Sequence, residues 1–106
     1  MVFNTGAALL DAIVLAGVST EAEGTYGYKI THDVRQAIAV SESTLYPVLR
    51  RLQKEECLEA YDREFAGRNR RYYKITDKGR AQLRLYREEW ISYSSKITRI
   101  FSEVKC

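Results

Sequence analysis

Side chains that could contact a polyanion are concentrated in the middle of this chain. A segment that begins near Ser43 carries hydroxyl, phenol and cationic groups, and a second segment after Gly67 is rich in arginine. Positions 68–80 hold six basic residues and one acid, Asp77. The formal charge of the whole chain is only +3, so the distribution of charge is more informative than its total. A local positive field of this kind suits phosphate groups.

The first of these segments is predicted to form a helix with one buried and one exposed face. Leu45, Leu49 and Leu52 recur at helical spacing and should face the core. Ser41 or Ser43 can cap this helix, and we favour Ser43 because a proline at position 47 is better tolerated near the first turn. The exposed face would then present these candidate DNA contacts: Ser43, Thr44, Tyr46, Arg50, Arg51 and Lys54.

The chemistry of these side chains suggests distinct contacts with a duplex. Arg50 is the best candidate for a bidentate hydrogen bond to guanine. Tyr46 can offer a hydroxyl to phosphate and a ring face to a thymine methyl group, and Arg51 and Lys54 would contact the backbone. The alternative is that the two arginines pair with Glu55 or Glu56 as ordinary surface cations, and the residues alone leave that open.

The second segment is predicted to be a β-hairpin with strands at 58–65 and 70–75. In the turn at 66–69, Gly67 and Asn69 are suited to positive φ. Alternation predicts that Tyr73 and Ile75 are buried, and that Arg70, Tyr72 and Lys74 face solvent or a ligand. The hairpin cations expected to contact DNA phosphates or the minor groove are Arg68, Arg70 and Lys74.

A different role is expected for Arg71, because it shares the predicted buried strand face with Tyr73. An ion pair with Asp62 or Glu64 is the structural alternative for this side chain.

Two further helices are predicted before these segments, the first at about residues 5–18 with Thr5 as a candidate cap. Thr25 is expected to cap the second, in which Gly27 indicates a close approach to another helix.

The last helix, predicted from position 77 onward with Thr76 as its cap, has a heptad seam. Apolar residues alternate at spacings of three and four: Leu83, Tyr86, Trp90, Tyr93, Ile97, Ile100 and Val104. The preceding helices cannot cover so long a seam, which favours dimerisation through a second copy of the chain. Packing of this helix entirely on its own domain is the alternative. Residues 1–76 would form the DNA-binding domain and residues 77–106 the dimerisation helix.

Several functional classes are not supported by the sequence. There is no glycine-rich phosphate loop and no nucleophile with an adjacent base, so an enzyme is not expected. Cys57, Cys106 and the single His32 show no metal-ligand spacing, and no cofactor is expected. Cys57 is interpreted as a core residue and Cys106 as exposed. The longest apolar run near the N-terminus is too short to span a bilayer, which predicts no membrane partner and a cytoplasmic location.

These segments together resemble the PadR family of bacterial transcriptional regulators. The resemblance rests on Thr44-Leu45-Tyr46-Pro47, on Leu49-Arg50-Arg51-Leu52, on Gly67-Arg68 through Tyr73 and on Thr76-Asp77-Lys78-Gly79. It implies a mainly α winged helix-turn-helix with a small β-hairpin. It also implies a dimeric repressor that binds double-stranded DNA at an inverted-repeat operator. It also implies DNA contacts by Ser43, Thr44, Tyr46 and the basic run. A single C-terminal helix resembles the smaller subfamily, in which that helix makes the homodimer.

Two points qualify what the resemblance implies. The family usually has a glycine after the recognition helix, and Glu56 stands there in this chain, which predicts a different helix ending and wing angle. Some relatives bind small planar hydrophobic compounds beside a tryptophan at the position of Trp90. Ala12 and Ala16 could leave space there for a planar or cationic ligand. A large seam residue is the alternative role of Trp90, and a winged-helix protein-interaction adaptor is the alternative function.

Overall fold

The chain forms four α-helices and one three-stranded antiparallel sheet. The computed structural model describes residues 7–105. In chain order the elements are α1 (Ala7–Ser19), β1 (Thr25–Tyr26), α2 (Gly27–Val34), α3 (Glu42–Lys54), β2 (Leu58–Phe65), β3 (Arg68–Ile75) and α4 (Asp77–Ser102). The strands lie in the order β1-β3-β2. The predicted order of three helices, a hairpin and a long helix is confirmed, and β1 is an addition. Thr5 and Cys106 lie outside the described residues.

The core is built from α1, α2, α3 and one face of the hairpin. Its buried members are Val14, Leu15, Val18, Ile30, Val34, Leu45, Val48, Leu49, Leu52, Cys57, Leu58, Tyr73 and Ile75. The predicted burial of the leucines of α3 and of Tyr73 and Ile75 is therefore confirmed. Cys57 is also a core residue, as expected, and burial raises the pKa of its thiol.

Thr25 does not cap α2, and that prediction is wrong. It lies in β1 opposite Tyr73, while Tyr26 lies opposite Tyr72. α2 begins directly afterwards at Gly27. Pairing with β3, which is distant in sequence, holds Thr25 and Tyr26 in an extended conformation. This pairing overrides the local preference of threonine for a helix cap.

The start of α3 also differs from the prediction. Ser41, not Ser43, is the N-cap, and its hydroxyl accepts a hydrogen bond from the Thr44 N–H at 3.4 Å. Pro47 consequently lies inside the helix. The intrahelical hydrogen bond that Pro47 cannot donate would have gone to Ser43, whose exposed position in the first turn lets water replace it.

The end of α3 is a left-handed cap formed without glycine. The Cys57 N–H donates to the Leu52 carbonyl at 2.8 Å and the Glu56 N–H donates to the Gln53 carbonyl at 3.0 Å. Glu56 has φ 64°. These two bonds and the positive φ define a Schellman ending. The expectation that Glu56 would change the kind of helix ending is therefore wrong, because glutamate adopts the conformation that glycine would favour.

The hairpin turn is shorter than predicted. Phe65 and Arg68 are already paired, so the turn consists of Ala66 and Gly67 alone. Their φ values are 54° and 78°, and two consecutive positive values are typical of a type I′ hairpin turn. Asn69 belongs to β3 and does not have positive φ, in contrast to the prediction. The left-handed residue that the sequence did not indicate is Ala66.

The first turn of α4 is locked against the end of α3. The Thr76 hydroxyl accepts from the Gly79 N–H at 2.9 Å, and it donates to the Glu56 carbonyl at 2.5 Å. A Cβ on Gly79 would lie 2.1 Å from the Cys57 carbonyl oxygen. Only glycine permits this approach. Along the rest of α4, Leu83 and Tyr86 pack on the core, and the helix contributes to an elongated shape of 59 × 28 × 21 Å.

Candidate nucleic-acid interface

The face of α3 opposite its leucines is polar and exposed. Burial of Leu45, Val48, Leu49 and Leu52 fixes the rotation of the helix about its axis. The side chains predicted to contact DNA consequently lie on the exposed surface, since Ser43, Thr44, Tyr46, Arg50, Arg51 and Lys54 are all exposed. The predicted division of this helix into a core face and a solvent face is confirmed.

The hydroxyl groups at the start of α3 form a small cluster. The Ser41 hydroxyl lies 2.8 Å from that of Ser43 and 3.1 Å from that of Thr44. This cluster sits at the positive end of the helix dipole, next to backbone N–H groups of the first turn. The positive helix end and the hydroxyl groups match the chemistry of a phosphate contact.

The two exposed arginines of α3 have different environments. Arg50 and Lys54 have no ion-pair partner among residues 7–105. Arg50 is therefore not paired with Glu55 or Glu56, in contrast to the alternative. Arg51 pairs with Asp11 of α1, 40 residues earlier in the chain. The partner is therefore not Glu55 or Glu56, which the alternative had named. Because Asp11 binds its guanidinium, Arg51 links α3 to α1.

A groove of about 290 Å³ separates the start of α2 from α3 and β3. Tyr46 forms part of its wall and packs over Gly27, where a Cβ would lie 3.2 Å from the Tyr46 hydroxyl. The close helix approach predicted from Gly27 is therefore present. The groove is lined by aromatic rings, two arginines and the start of a helix: Tyr26, Gly27, Tyr28, Tyr46, Asn69, Arg70, Arg71 and Tyr73. Tyr26, the N-cap of α2, makes no side-chain capping bond.

The outer face of the sheet carries a stack of aromatic rings and arginines. Tyr61 stacks on Tyr72 with ring centroids 5.6 Å apart, and Tyr26 meets Tyr72 edge-on at 5.7 Å. These neighbours bury Tyr72. The prediction that Tyr72 faces solvent or a ligand is therefore wrong, because the alternation of the strand does not reveal what covers its outer face.

Arg70 lies inside this stack. Its guanidinium carbon is 3.6 Å from the ring centroid of Tyr26 and 3.8 Å from that of Phe65. Its Nε donates to the Tyr72 hydroxyl at 3.2 Å, and a second nitrogen also donates there. Arg70 thus ties the hairpin tip to β1, beside the start of α2. Sequence reasoning missed this role, although two aromatic residues on one face of β2, Tyr61 and Phe65, were a visible signal.

The remaining cations of the hairpin are less constrained. Arg68 and Lys74 are exposed and have no ion-pair partner in the described part of the chain. Arg71 lies 3.9 Å from Asp62, and both side chains are more than half exposed. The predicted pairing of Arg71 with Asp62 is present, although an ion pair so open to water contributes little stability.

A second groove, of about 280 Å³, runs between α1 and α4. It brings together the three residues predicted to line a ligand site, Ala12, Ala16 and Trp90. Its full lining is Leu9, Ala12, Ala16, Leu83, Tyr86, Arg87 and Trp90. Burial raises the pKa of Tyr86, and the nearby Asp11 carboxylate adds to that effect. α1 and α4 run antiparallel here, since Leu9 and Trp90 share this groove while Ser19 shares a neighbouring one with Arg80.

The seam predicted along α4 divides into two parts. Leu83 and Tyr86 pack on the core of their own chain. Beyond Trp90, Ile100 remains 59% exposed. Val104 is exposed but follows the end of the helix at Ser102, so the predicted final seam position is not helical. The part of the seam available to another chain is therefore shorter than the sequence predicted.

Two further functional possibilities can be checked directly. Residues 7–105 contain no group of three or more His, Cys, Asp or Glu side chains arranged to hold a metal ion. Within the same range, no helix combines the length and apolar character needed to cross a bilayer.

Comparison with known proteins identifies relatives of this chain. The profile of the transcriptional regulator PadR-like family matches residues 14–85. A protein of known structure from Streptococcus mutans is 34% identical, with 100% of this chain and 99% of that chain covered and a TM-score of 0.84. A PadR-like transcriptional regulator from Bacillus cereus is 30% identical, with coverages of 95% and 98% and a TM-score of 0.81. Bacillus subtilis PadR in complex with operator DNA shares the fold at 22% identity, with coverages of 74% and 46% and a TM-score of 0.65.

Proposed function

The chain belongs to the PadR-like family of transcriptional regulators, and from that premise we propose that it is a dimeric, sequence-specific DNA-binding repressor. Membership of a family of regulators also confirms the prediction that the chain is not an enzyme. A winged helix-turn-helix places its recognition helix in the major groove and its wing along the backbone. In this chain α3 is the recognition helix and the hairpin of β2 and β3 is the wing.

The observation that carries this proposal is the continuity of the exposed face of α3 with the groove at the wing. Tyr46 belongs to both surfaces. A phosphate in the groove would meet the uncapped start of α2 and the hydroxyl of Tyr46, while the neighbouring face of α3 met base edges. Bacillus subtilis PadR, which shares this fold, is in complex with operator DNA, and this supports DNA as the partner.

The proposed DNA contacts are the residues of α3 and the hairpin that were predicted to contact DNA, are exposed and make no ion pair within residues 7–105. We assign base readout to Arg50 and backbone contacts to the others: Ser43, Thr44, Tyr46, Lys54, Arg68 and Lys74. Arg51 and Arg70 are left out of this set, because Asp11 and the aromatic stack engage their guanidinium groups. Their effect on DNA binding would be indirect.

Dimerisation is proposed through the part of α4 that leaves the domain. Ile97 and Ile100 lie on the side of the helix that continues the seam, together with Tyr93. Trp90 stands at the junction between the domain and this segment, which makes the groove between α1 and α4 the proposed site for a hydrophobic ligand that relieves repression. A two-fold dimer predicts an inverted repeat with half-sites about 34–36 Å apart.

A gel shift on DNA from upstream of the gene, run against unrelated duplex at two salt concentrations, tests the proposal. We expect a discrete complex that survives competition and weakens with salt. Arg50→Ala should lose about tenfold to a hundredfold of specific affinity and relax the preference at one base pair. Lys96→Ala, an exposed cation of α4 outside the interface, is the matched control and should bind normally.

Absence of any salt-dependent complex with duplex DNA would contradict the proposal and would favour the protein-interaction adaptor. Selection of bound fragments from the whole genome separates that result from an operator located elsewhere, because a repressor would still enrich one inverted repeat. An adaptor would enrich none.

A further inference from the structure

We propose that the groove between α1 and α4 selects amphipathic anions, with the apolar body of the ligand near Trp90 and its carboxylate at a cluster of arginines. This inference rests on the proposed ligand site and specifies the chemical class of the ligand. A second cavity of about 210 Å³ adjoins the apolar groove and is lined by Ser19, Arg80, Leu83, Arg84 and Arg87. Leu83 and Arg87 line both spaces, so the two adjoin along one side of α4, and we call them together the channel.

The three arginines share one face of α4 because they are spaced by four and three residues. Like charges at this spacing repel each other and weaken a helix. None of the three guanidinium groups has an ion-pair partner among the described residues. An external anion would relieve the repulsion between them, which is the charge complementarity that points to this ligand class.

The apolar end of the channel has the opposite character. Ala12 and Ala16 leave space beside the ring of Trp90, and almost all the surface there is hydrocarbon or aromatic. Arg87 can lay its aliphatic stem along this surface and keep its charge toward the cationic end. No acidic side chain of the described residues lines either part of the channel. A cationic ligand, which the sequence had left open, would therefore meet arginines and no acidic side chain among the lining residues.

The dimensions favour an elongated ligand. Arg80 and Trp90 lie ten positions apart on one helix, which corresponds to about 15 Å at the helical rise. An extended fatty acid with its carboxylate at Arg80 and Arg84 would place its chain against Leu83 and Ala16 and its end near Trp90. Each part of such a molecule would then meet surface of matching polarity.

Trp90 provides the readout, because it is the only tryptophan of the chain. The experiment titrates the intact protein with dodecanoate and with dodecyltrimethylammonium, which share a chain and differ in charge, below their micelle concentrations. We expect dodecanoate to change Trp90 fluorescence saturably and to bind at least tenfold more tightly than the ammonium probe. In the variant Arg80→Gln, Arg84→Gln, Arg87→Gln, the affinity for dodecanoate should fall at least tenfold and that for the ammonium probe should not fall.

Arg99→Gln is the matched control, since it removes an exposed arginine from the same helix outside the channel. It should leave both affinities unchanged. If the triple variant does not fold, Arg84→Gln alone serves, with an expected loss of at least threefold. Equal affinity for both probes, with no effect of the arginine substitutions, would overturn the selection of anions and leave the hydrophobic ligand site intact. No response to either probe would overturn the ligand site as well. The proposal of DNA binding does not depend on that result.

Discussion

Asp11 of α1 and Arg51 of α3 form an ion pair in which the carboxylate is almost fully buried and the guanidinium is not. The Asp11 side chain is 8% exposed and that of Arg51 is 42% exposed. Asp11 precedes Ala12, which lines the groove between α1 and α4, and Arg51 follows Arg50, the proposed base-reading residue. The pair therefore connects the helix beside the proposed ligand site to the helix that would read DNA.

The pH dependence of stability should report on this pair. Burial raises the pKa of Asp11 above its ordinary value of 3.8, although Arg51 acts to lower it. The folded state then binds the Asp11 proton more tightly than the unfolded state does. The stability that this proton binding contributes is complete below the unfolded pKa and is lost as pH rises through the folded pKa. Arg51→Gln removes the partner that lowers the pKa. We expect it to destabilise the protein by about 2 kcal/mol at pH 7 and by less at pH 4.

Urea unfolding at the two pH values, at a fixed protomer concentration, measures this difference. Asp11→Asn is the control, because the amide does not titrate and its effect should change little with pH. Combining the two substitutions should restore part of the stability lost in Arg51→Gln. A loss that is the same at pH 4 and pH 7 in the Arg51→Gln variant would show that the buried charge is not the cause.

Glu56→Gly should stabilise the protein, because position 56 has φ 64° at the end of α3. A left-handed conformation costs an L-residue about 1–2 kcal/mol. Glycine avoids this cost, but part of the gain is lost because its unfolded state has more conformational entropy. The expected net gain is about 0.5–1 kcal/mol, read from the urea midpoint. Glu55→Gly is the control one residue earlier, where φ is −82°, and it should destabilise. A gain at both positions would contradict the conformational explanation.

The elements that the sequence predicted well are those determined locally. Leucines at helical spacing identified the buried face of α3, and Thr76 was correctly assigned as the cap of α4. The errors involve partners far away in sequence. Thr25 joins a strand because it meets Tyr73, and Arg51 is engaged by a residue of α1 that no periodicity connects to it.

The same distinction applies to the candidate site. Spacing indicated which face of α3 is exposed, because that depends on the phase of one element. In the hairpin, Arg68 and Lys74 are exposed as expected, whereas Arg70 is half-buried and Arg71, from the predicted buried face, is exposed. Whether an exposed cation is available depends on its neighbours across the sheet. Arg68 and Arg70 have the same residue type and the same strand face, and the positions of Tyr26, Phe65 and Tyr72 distinguish them.

Arg70 and Arg68 should therefore respond differently to the same substitution. Arg70→Gln removes a guanidinium held between two rings, and we expect a loss of about 1–2 kcal/mol in stability. The dependence of DNA affinity on salt should keep its slope, because Arg70 is not a proposed phosphate contact. Arg68→Gln should leave stability unchanged and reduce that slope by about one. Thermal unfolding and salt-dependent gel shifts separate the two effects, and an exchange of these phenotypes would refute the assignment.

Gly79→Ala should loosen the attachment of α4. The new methyl group would lie 2.1 Å from the Cys57 carbonyl oxygen, which belongs to the backbone and cannot rotate away. We expect a loss of about 3 kcal/mol in stability. Gly17→Ala is the control, because nothing lies within 4 Å of a Cβ at that helical position, and it should be neutral or stabilising. Calorimetry of the two variants tests whether the close approach, rather than the loss of a glycine, is responsible.

The exposed end of α4 should determine the oligomeric state. Ile97→Asp combined with Ile100→Asp places charge on the proposed seam, where a partner helix would have to desolvate it. We expect the mass in solution, measured by sedimentation equilibrium, to fall from that of a dimer to that of a monomer. The affinity for an inverted-repeat operator should fall at least a hundredfold, because the second half-site no longer binds at a high effective concentration.

Ser95→Asp adds a charge to the same helix away from the seam, where the serine hydroxyl donates to the Ile91 carbonyl. This control should remain dimeric and bind DNA normally. Because Leu83 and Tyr86, which pack on the core, lie earlier in the helix than these substitutions, the double substitution should leave the fold of the domain intact, which circular dichroism can verify. A double variant that keeps the mass of a dimer would place the interface elsewhere, and the apolar face of α4 beyond Trp90 would then need another explanation.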